Sequence, residues 1–396
     1  MPNEMNNIKK GYSPIKTRGD KKLLYTTIIL VVIGLMAVLS ASLPLCISHN
    51  MFSLYYVLQH IIWLFFGSLG LFFFSKFDYK NLKRYTLLFA VFVIALLLIV
   101  KFTPLGLTIN GARRWINLGF FRFQPSEFSK PAIILLLANL FSLSKETLLS
   151  KLPAYLGITG LMLFVILKQP NLSMVLLLSG IAFCMYICSG KSLKPVLVGG
   201  IVVSCFAGMI LSGAVDLSNV LEPHQLDRLR NCRYSTSVNV QEGGYQVFHS
   251  MIAISSGGLV GCGYGNSKEK LGWLPEAHTD FIFSVISEEF GFVGSLAIIL
   301  LFLILFYRGI NIALRSPTIY GRMVAFGITV SIAMQAFLNI SVATSFLPAT
   351  GVTLPLISYG GSSLFVTMCM IGILLNISKT RMIRDDRIGK EIYAKN

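Results

Sequence analysis

The chain has 396 residues, of which 54% are hydrophobic and only 13% charged, with a mean hydropathy of +0.71. These values exclude an ordinary soluble domain and fit a polytopic membrane protein whose core is a helix bundle in lipid. The net charge of +17, from 34 basic and 17 acidic residues, would point to nucleic acid in a soluble protein; here it gathers at the ends of apolar segments, which excludes that partner and makes the charge a topology signal.

In chain order, apolar runs predict membrane spans near 23–44, 54–75, 85–102, 128–143, 153–168, 172–189, 195–212, 280–307, 321–343 and 355–377. The expected fold is thus an all-α integral membrane protein with about ten transmembrane helices and a large extracytoplasmic loop, about 213–278, between the seventh and the eighth. Basic residues mark one side: the tail 1–22 with Lys9, Lys10, Lys16, Arg18, Lys21 and Lys22, the tail 378–396 with Lys379, Arg381, Arg384 and Arg387, and the loops with Lys80, Lys83, Lys145, Lys191 and Arg315 between them. An even number of spans then puts both tails in the cytoplasm, and the alternation closes without conflict. The polar leading segment lacks a small-residue cleavage site, so the first span is expected to remain as an anchor.

Seven cysteines form no CxxC pair, and four lie inside spans, where a thiol packs as a small apolar group. Cys232 and Cys262 share the large loop and could pair in an oxidising compartment.

The loop after the third span departs from the charge rule. From Thr103 to Ser126 it carries Arg113, Arg114 and Arg122 and no acid, on what should be the outer side. Guanidinium forks match phosphate oxygens with two parallel hydrogen bonds, so an anion site is one reading. The plain alternative is that these arginines cap helix ends or snorkel to headgroups. Trp115, Phe120, Phe121 and Phe123 suit a loop lying at the interface. Gln124-Pro125-Ser126 then opens the next helix, with Pro suited to a first turn. Glu127 and Lys130 stand three residues apart and can pair on one face.

In the large loop, Gly261, Gly263 and Gly265 make no GxGxxG and have no βαβ context, which rules out a dinucleotide cradle. YQVFHSMIAISSGGLVG reads instead as a partly apolar helix dipping into the membrane edge, with glycines allowing close approach. The following stretch, LGWLPEAHTDFIFSVISEEFGFVGSL, carries Glu276, Asp280, Glu288 and Glu289 into the start of a span. Carboxylates there are costly unless paired, hydrated or working. A helix beginning near Thr279 places Asp280, Ser284, Ser287, Glu288, Gly291 and Ser295 on one polar stripe and leaves Glu289 on the opposite face with no evident partner. Asp280 reads either as a helix N-terminal carboxylate complementing the dipole or as an acid at a cavity mouth, poised for proton transfer.

NGARRWINLGFFRFQPSEFSKPA, GYQVFHSMIAISSGGLVGCGYG, LGWLPEAHTDFIFSVISEEFGFVG and LPATGVTLPLISYGGSS, in this order, resemble the SEDS family of bacterial shape, elongation, division and sporulation proteins over about Asp20 to Arg384. The resemblance implies a ten-helix peptidoglycan glycosyltransferase of the cytoplasmic membrane. Such a protein polymerises lipid II at the outer face beside a class B penicillin-binding protein transpeptidase, and a division-type member would work with other division-complex membrane proteins at the septum. By motif, Asp280 matches the family's essential acid, Glu127 and Lys130 its conserved pair, Arg113 and Arg114 its basic loop, and Ser358, Gly360, Gly361 and Ser362 its ISYGGS turn. One departure stands out: where the family reads QPDLGT this chain reads QPNLSM, with Asn171 for an acid and Ser173 for a glycine, which puts an ionic or metal role of that loop in doubt.

Joining sugars requires a base for the attacking hydroxyl and charge stabilisation at the leaving group. Lipid pyrophosphate already leaves well, so Asp280 as base, with Arg113, Arg114 and Lys130 on pyrophosphate and Glu288 tuning the site, would suffice. A divalent cation, magnesium or manganese, is a candidate supplement with no ligand set identified. A lipid-linked oligosaccharide flippase would share the helices and the polar cavity, as would an elongation-type polymerase. Charged motifs confined to one side favour a polymerase over a flippase, and NGARRW and the opening LLYTTIILVVIGLMAVLSAS favour the division type.

Overall fold

The computed structural model describes residues 12–16, 19–109, 112–117, 122–190 and 243–384. The expected seventh span at 195–212, the first part of the large loop, Cys205, Cys232, Phe120 and Phe121 lie outside the described residues.

Strand β1 (Tyr12–Lys16) is followed by helices α1 (Lys21–Ser48), α2 (Tyr55–Lys76) and α3 (Tyr79–Phe102). A ribbon of β2 (Gly106–Ile109), β3 (Ala112–Asn117) and β4 (Arg122–Phe123) leads to α4 (Ser129–Phe141), α5 (Lys145–Leu167) and α6 (Leu172–Cys188). Then come α7 (Gly243–Ser256), α8 (Ile282–Arg315), α9 (Ile319–Ala343), α10 (Gly361–Ser378) and β5 (Thr380–Arg384). Seven of the described helices are long and apolar enough to cross a membrane. Among the described residues, helices stand at nine of the ten expected positions, so the chain is an all-α integral membrane protein.

Large apolar side chains such as Phe65, Phe72, Leu88 and Leu303 are exposed, while Lys130, Gln335, Asn339 and Glu289 are buried. This inverted distribution belongs to a bundle whose solvent is lipid. Apolar surface then gives helices no reason to associate, and close packing and internal hydrogen bonds must hold them together. At Gly372, a β-carbon would lie 2.6 Å from the Leu71 carbonyl, so α10 and α2 can touch main chain to main chain only because that side chain is missing.

α3 and α5 begin six and eight residues before their expected starts and α10 six after, and two helices depart from a plain membrane crossing for physical reasons. α4 has 13 residues, about 20 Å of rise, less than the roughly 30 Å hydrocarbon layer. It tolerates this because it is buried from Ala132 to Phe141 and meets protein rather than lipid. The 3₁₀ turn Pro125–Phe128 leads into it, with Pro125 in the first turn as its sequence requires. α8 starts at Ile282 rather than near Thr279, and it is broken at Gly291, where φ is 64° and ψ is −160°. A straight helix from Thr279 is therefore corrected to a short segment, a break, and a long crossing segment.

The two ends of the bundle are distinct. β1 pairs antiparallel with β5, Tyr12 opposite Arg384, so both tails meet at one end. There the Arg308 guanidinium, near the far end of α8, pairs with Asp20, which also accepts from Leu23 N as the cap of α1. The ribbon, the turn between α5 and α6, the start of α8 and the strap 344–360 between α9 and α10 stand at the opposite, mouth end.

Candidate functional site

The acidic stretch before and within α8 resolves into two settings. Glu288 accepts from Ser267 Oγ at 2.5 Å and from Lys268 N at 2.8 Å. Glu289 accepts from Ser40 Oγ at 2.5 Å and from Lys270 Nζ at 2.6 Å, and the Lys270 and Glu289 side chains are 4% and 1% exposed. The partner that helical spacing could not supply for Glu289 is thus Lys270, brought in by the loop before α8.

The glycine-rich segment makes this possible. α7 ends at Ser256, and the chain then runs across the break at Gly291. Cys262 N donates to Glu288 O at 3.0 Å and Gly263 N to Glu289 O at 3.0 Å, while Phe292 N donates to Gly258 O at 2.9 Å. Main-chain groups freed by the break are satisfied by the loop, as a buried break demands. A β-carbon at Gly291 would lie 2.6 Å from Leu259 main chain, so no other residue fits. The expected polar stripe is corrected at this point: Asp280 precedes the helix, and Ser284 packs on α7, its Oγ 2.6 Å from Ser250 Oγ, rather than lining an open path.

Asp280 and Glu276 are the less buried carboxylates. Asp280 is half-buried in the turn that leads into α8. Its carbonyl accepts from Asn339 Nδ2 at 2.7 Å, and the same amide donates to Val352 O at 2.7 Å. The strap lies so close that a β-carbon on Gly351 would sit 3.5 Å from Asp280 Oδ2. Thr350 O, one residue earlier, accepts from Ser173 Oγ at 2.6 Å. Thr350 Oγ1 and Asn339 Oδ1 are buried here without a protein partner.

His278, two residues before Asp280, lies between the rings of Tyr56 and Tyr359 at 4.8 and 5.5 Å, and its carbonyl accepts from Tyr359 N at 3.0 Å. Burial pulls its imidazole below the ordinary value of 6.5 against an opposing pull from Glu276, so the ring is neutral at pH 7.

The ISYGGS turn is a junction. Ser358 Oγ accepts from Leu354 N at 2.8 Å and closes the turn itself. Gly360 caps α10 and Gly361 begins it. Ser362 Oγ accepts from Gln124 N at 2.9 Å and ties the turn to the chain entering α4. Just beyond, Lys130 Nζ lies 2.5 Å from Glu127 Oε2, with side-chain exposures of 0% and 7%, and 2.7 Å from Gln335 Oε1. The pair expected from spacing is real and lies inside the bundle rather than on an interfacial surface.

The arginines divide. Arg113 donates through Nε to Gly106 O at 3.1 Å and through its Nη2 to Thr103 O, bracing the ribbon. Arg114 donates to Gln169 O at 3.1 Å and to Pro170 O, reaching the turn between α5 and α6. Arg122 on β4 is exposed; burial pushes the Tyr359 phenol up against a smaller opposing pull from this guanidinium, which stands near the mouth. The loop's charge pattern pointed to this residue as much as to its two neighbours. Asn171 caps α6 through Oδ1, accepting from Met174 N at 3.3 Å, a task a neutral amide performs without an ion.

Among the described residues no three His, Cys, Asp or Glu side chains gather as a metal-holding group.

Comparison with known proteins agrees with this architecture. Residues 21–383 match the FtsW/RodA/SpoVE family, described as cell cycle proteins. Stage V sporulation protein E of Bacillus subtilis (strain 168) is 37% identical over 373 residues, 92% of this chain and 98% of that protein. The probable peptidoglycan glycosyltransferase FtsW of Geobacter sp. (strain M18) is 33% identical over 92% of this chain and 97% of its own length. A chain of a solved peptidoglycan synthase complex that coordinates polymerization and crosslinking superposes with a TM-score of 0.73 at 26% identity, covering 91% of this chain and 98% of that one. The rod shape determining protein RodA of Thermus thermophilus superposes with a TM-score of 0.65 at 26% identity, covering 91% and 97%.

Proposed function

The chain belongs to the FtsW/RodA/SpoVE family and is a peptidoglycan glycosyltransferase, and we propose that it polymerises lipid II at the outer face of the bacterial cytoplasmic membrane during division. Relatives named FtsW, aligned nearly end to end, support the division reading. The mouth end faces outward and both basic tails face the cytoplasm, in keeping with the basic residues at the tail end. A class B penicillin-binding protein is the partner, by analogy with the synthase complex that this chain resembles.

The observation that carries the mechanism is the placement of Asp280: half-buried at the mouth, its main chain held by Asn339 and its carboxylate beside Gly351 of the strap. Asp280 takes the proton from the attacking 4-hydroxyl as the new glycosidic oxygen bonds to the anomeric carbon of the second saccharide. Lipid pyrophosphate departs from that carbon, inverting it. Arg113 and Arg114, fixed by their main-chain bonds, and the buried ammonium of Lys130 supply positive potential for the departing charge. One carboxylate suffices because the leaving group needs no protonation, unlike glycoside hydrolysis, where two carboxyl groups flank the bond.

Purified full-length protein incubated with lipid II and its transpeptidase partner should yield glycan strands. Absence of strands from folded protein that binds lipid II, with movement of lipid II between leaflets instead, would replace the polymerase by a flippase.

A further inference from the structure

We infer that Gln335 and Asn339, one turn apart on α9, are positioning residues that hold Asp280 and Lys130 in fixed register across the strap Val352–Thr353; the inference rests on the glycosyltransferase reading of the same site. Both are buried, at 2% and 1% exposure. Gln335 Oε1 accepts from Lys130 Nζ at 2.7 Å, and its Nε2 donates to Thr353 O at 3.0 Å and to Ser363 Oγ at 3.2 Å. Asn339 Nδ2 donates to Asp280 O and to Val352 O, each at 2.7 Å. Consecutive carbonyls of the strap are therefore held by consecutive turns of one helix; the Gln335 oxygen reaches the Lys130 ammonium, and the same Asn339 amide nitrogen that holds Val352 O reaches the main chain of Asp280.

The chemistry requires amides at both positions. At 335 the side chain accepts from an ammonium and donates to a carbonyl at once, and at 339 it donates to two carbonyls; a planar amide does both. A carboxylate at 339 would face two carbonyl oxygens with no proton to share, and an alkyl group at 335 would leave Thr353 O and part of the Lys130 ammonium unpaired inside the bundle. Helix α9 thus acts as a ruler: its 5.4 Å pitch fixes where the main chain at Asp280 stands relative to the Lys130–Glu127 pair, although neither amide need touch the saccharide.

The test uses full-length Asn339→Leu and Gln335→Met, which keep the heavy-atom outline of each side chain while removing its hydrogen bonds. Each should lower kcat for strand synthesis about tenfold with little change in KM for lipid II, and Asn339→Leu should speed amide exchange in 279–282 and 350–354 together. In an Asp280→Asn background the further loss from Asn339→Leu should vanish, because the amide acts through the group already removed. Additive losses in that double variant, or unchanged exchange in both segments, would overturn the inference. An Asp280→Asn protein with wild-type rate would instead defeat the glycosyltransferase assignment of Asp280, while the exchange measurement would still decide whether the amides hold the two segments.

Discussion

Asp280 and the Glu288–Glu289 pair lie within one short stretch of chain, yet their surroundings are opposite. Glu288 and Glu289 are nearly inaccessible, and their oxygens are taken by Ser267, Lys268, Ser40 and Lys270. Asp280 stands in a turn at the mouth, held through its main chain, with its carboxylate beside a glycine. Acid in a membrane protein is therefore no index of function by itself. The buried pair stitches a loop to a broken helix, whereas Asp280 is only half-buried, as the proposed base has to be.

The largest effect expected on the structural side is from Lys270→Met, which leaves Glu289 charged and unpaired in the interior. It should cost roughly 3–5 kcal/mol, and Lys270→Met combined with Glu289→Leu should recover most of that. Thermal unfolding of the solubilised protein reads both, and a single variant as stable as wild type would erase the contrast. Next, Gly291→Ala forces a left-handed residue to carry a β-carbon, at a cost of at least about 1–2 kcal/mol. The matched control is Gly157→Ala on α5, where an added β-carbon meets nothing within 4 Å and stability should hold or rise slightly. Equal melting shifts in the two variants would mean that the break at Gly291 does not require glycine. The smallest effect is on the catalytic side: Arg113→Lys keeps the charge but loses the fork that reaches Thr103 O and Gly106 O, and should lower strand synthesis a few-fold. Wild-type rates for both Arg113→Lys and Arg113→Ala would make this arginine a ribbon brace alone.

Much of the bundle was legible in the sequence because lipid imposes length and hydropathy on every span: α1, α2 and α9 stand within a few residues of their apolar runs. The misses are non-local. The pairing of β1 with β5 joins opposite ends of the chain, and the β2–β4 ribbon hides in a loop whose arginines and aromatics read as interfacial. The break at Gly291 follows from contact with Leu259 and Gly261, which no helical wheel contains. In the candidate site, the pairing of Glu127 with Lys130 was legible from their spacing. Lys270, Gln335 and Asn339 were not, because a lysine in a polar loop and amides in a span take meaning only from partners that folding brings to them.

The central claim, that one stretch of chain divides its acids between framework and chemistry, is tested most directly by Asp280→Asn in the full-length protein, with thermal unfolding and lipid II polymerisation measured on the same preparation. Asn keeps the shape and the main-chain bond to Asn339 while removing the base. The account predicts unchanged melting and a polymerisation rate lower by about a hundredfold or more. A stable Asp280→Asn protein that makes strands at the wild-type rate would contradict it.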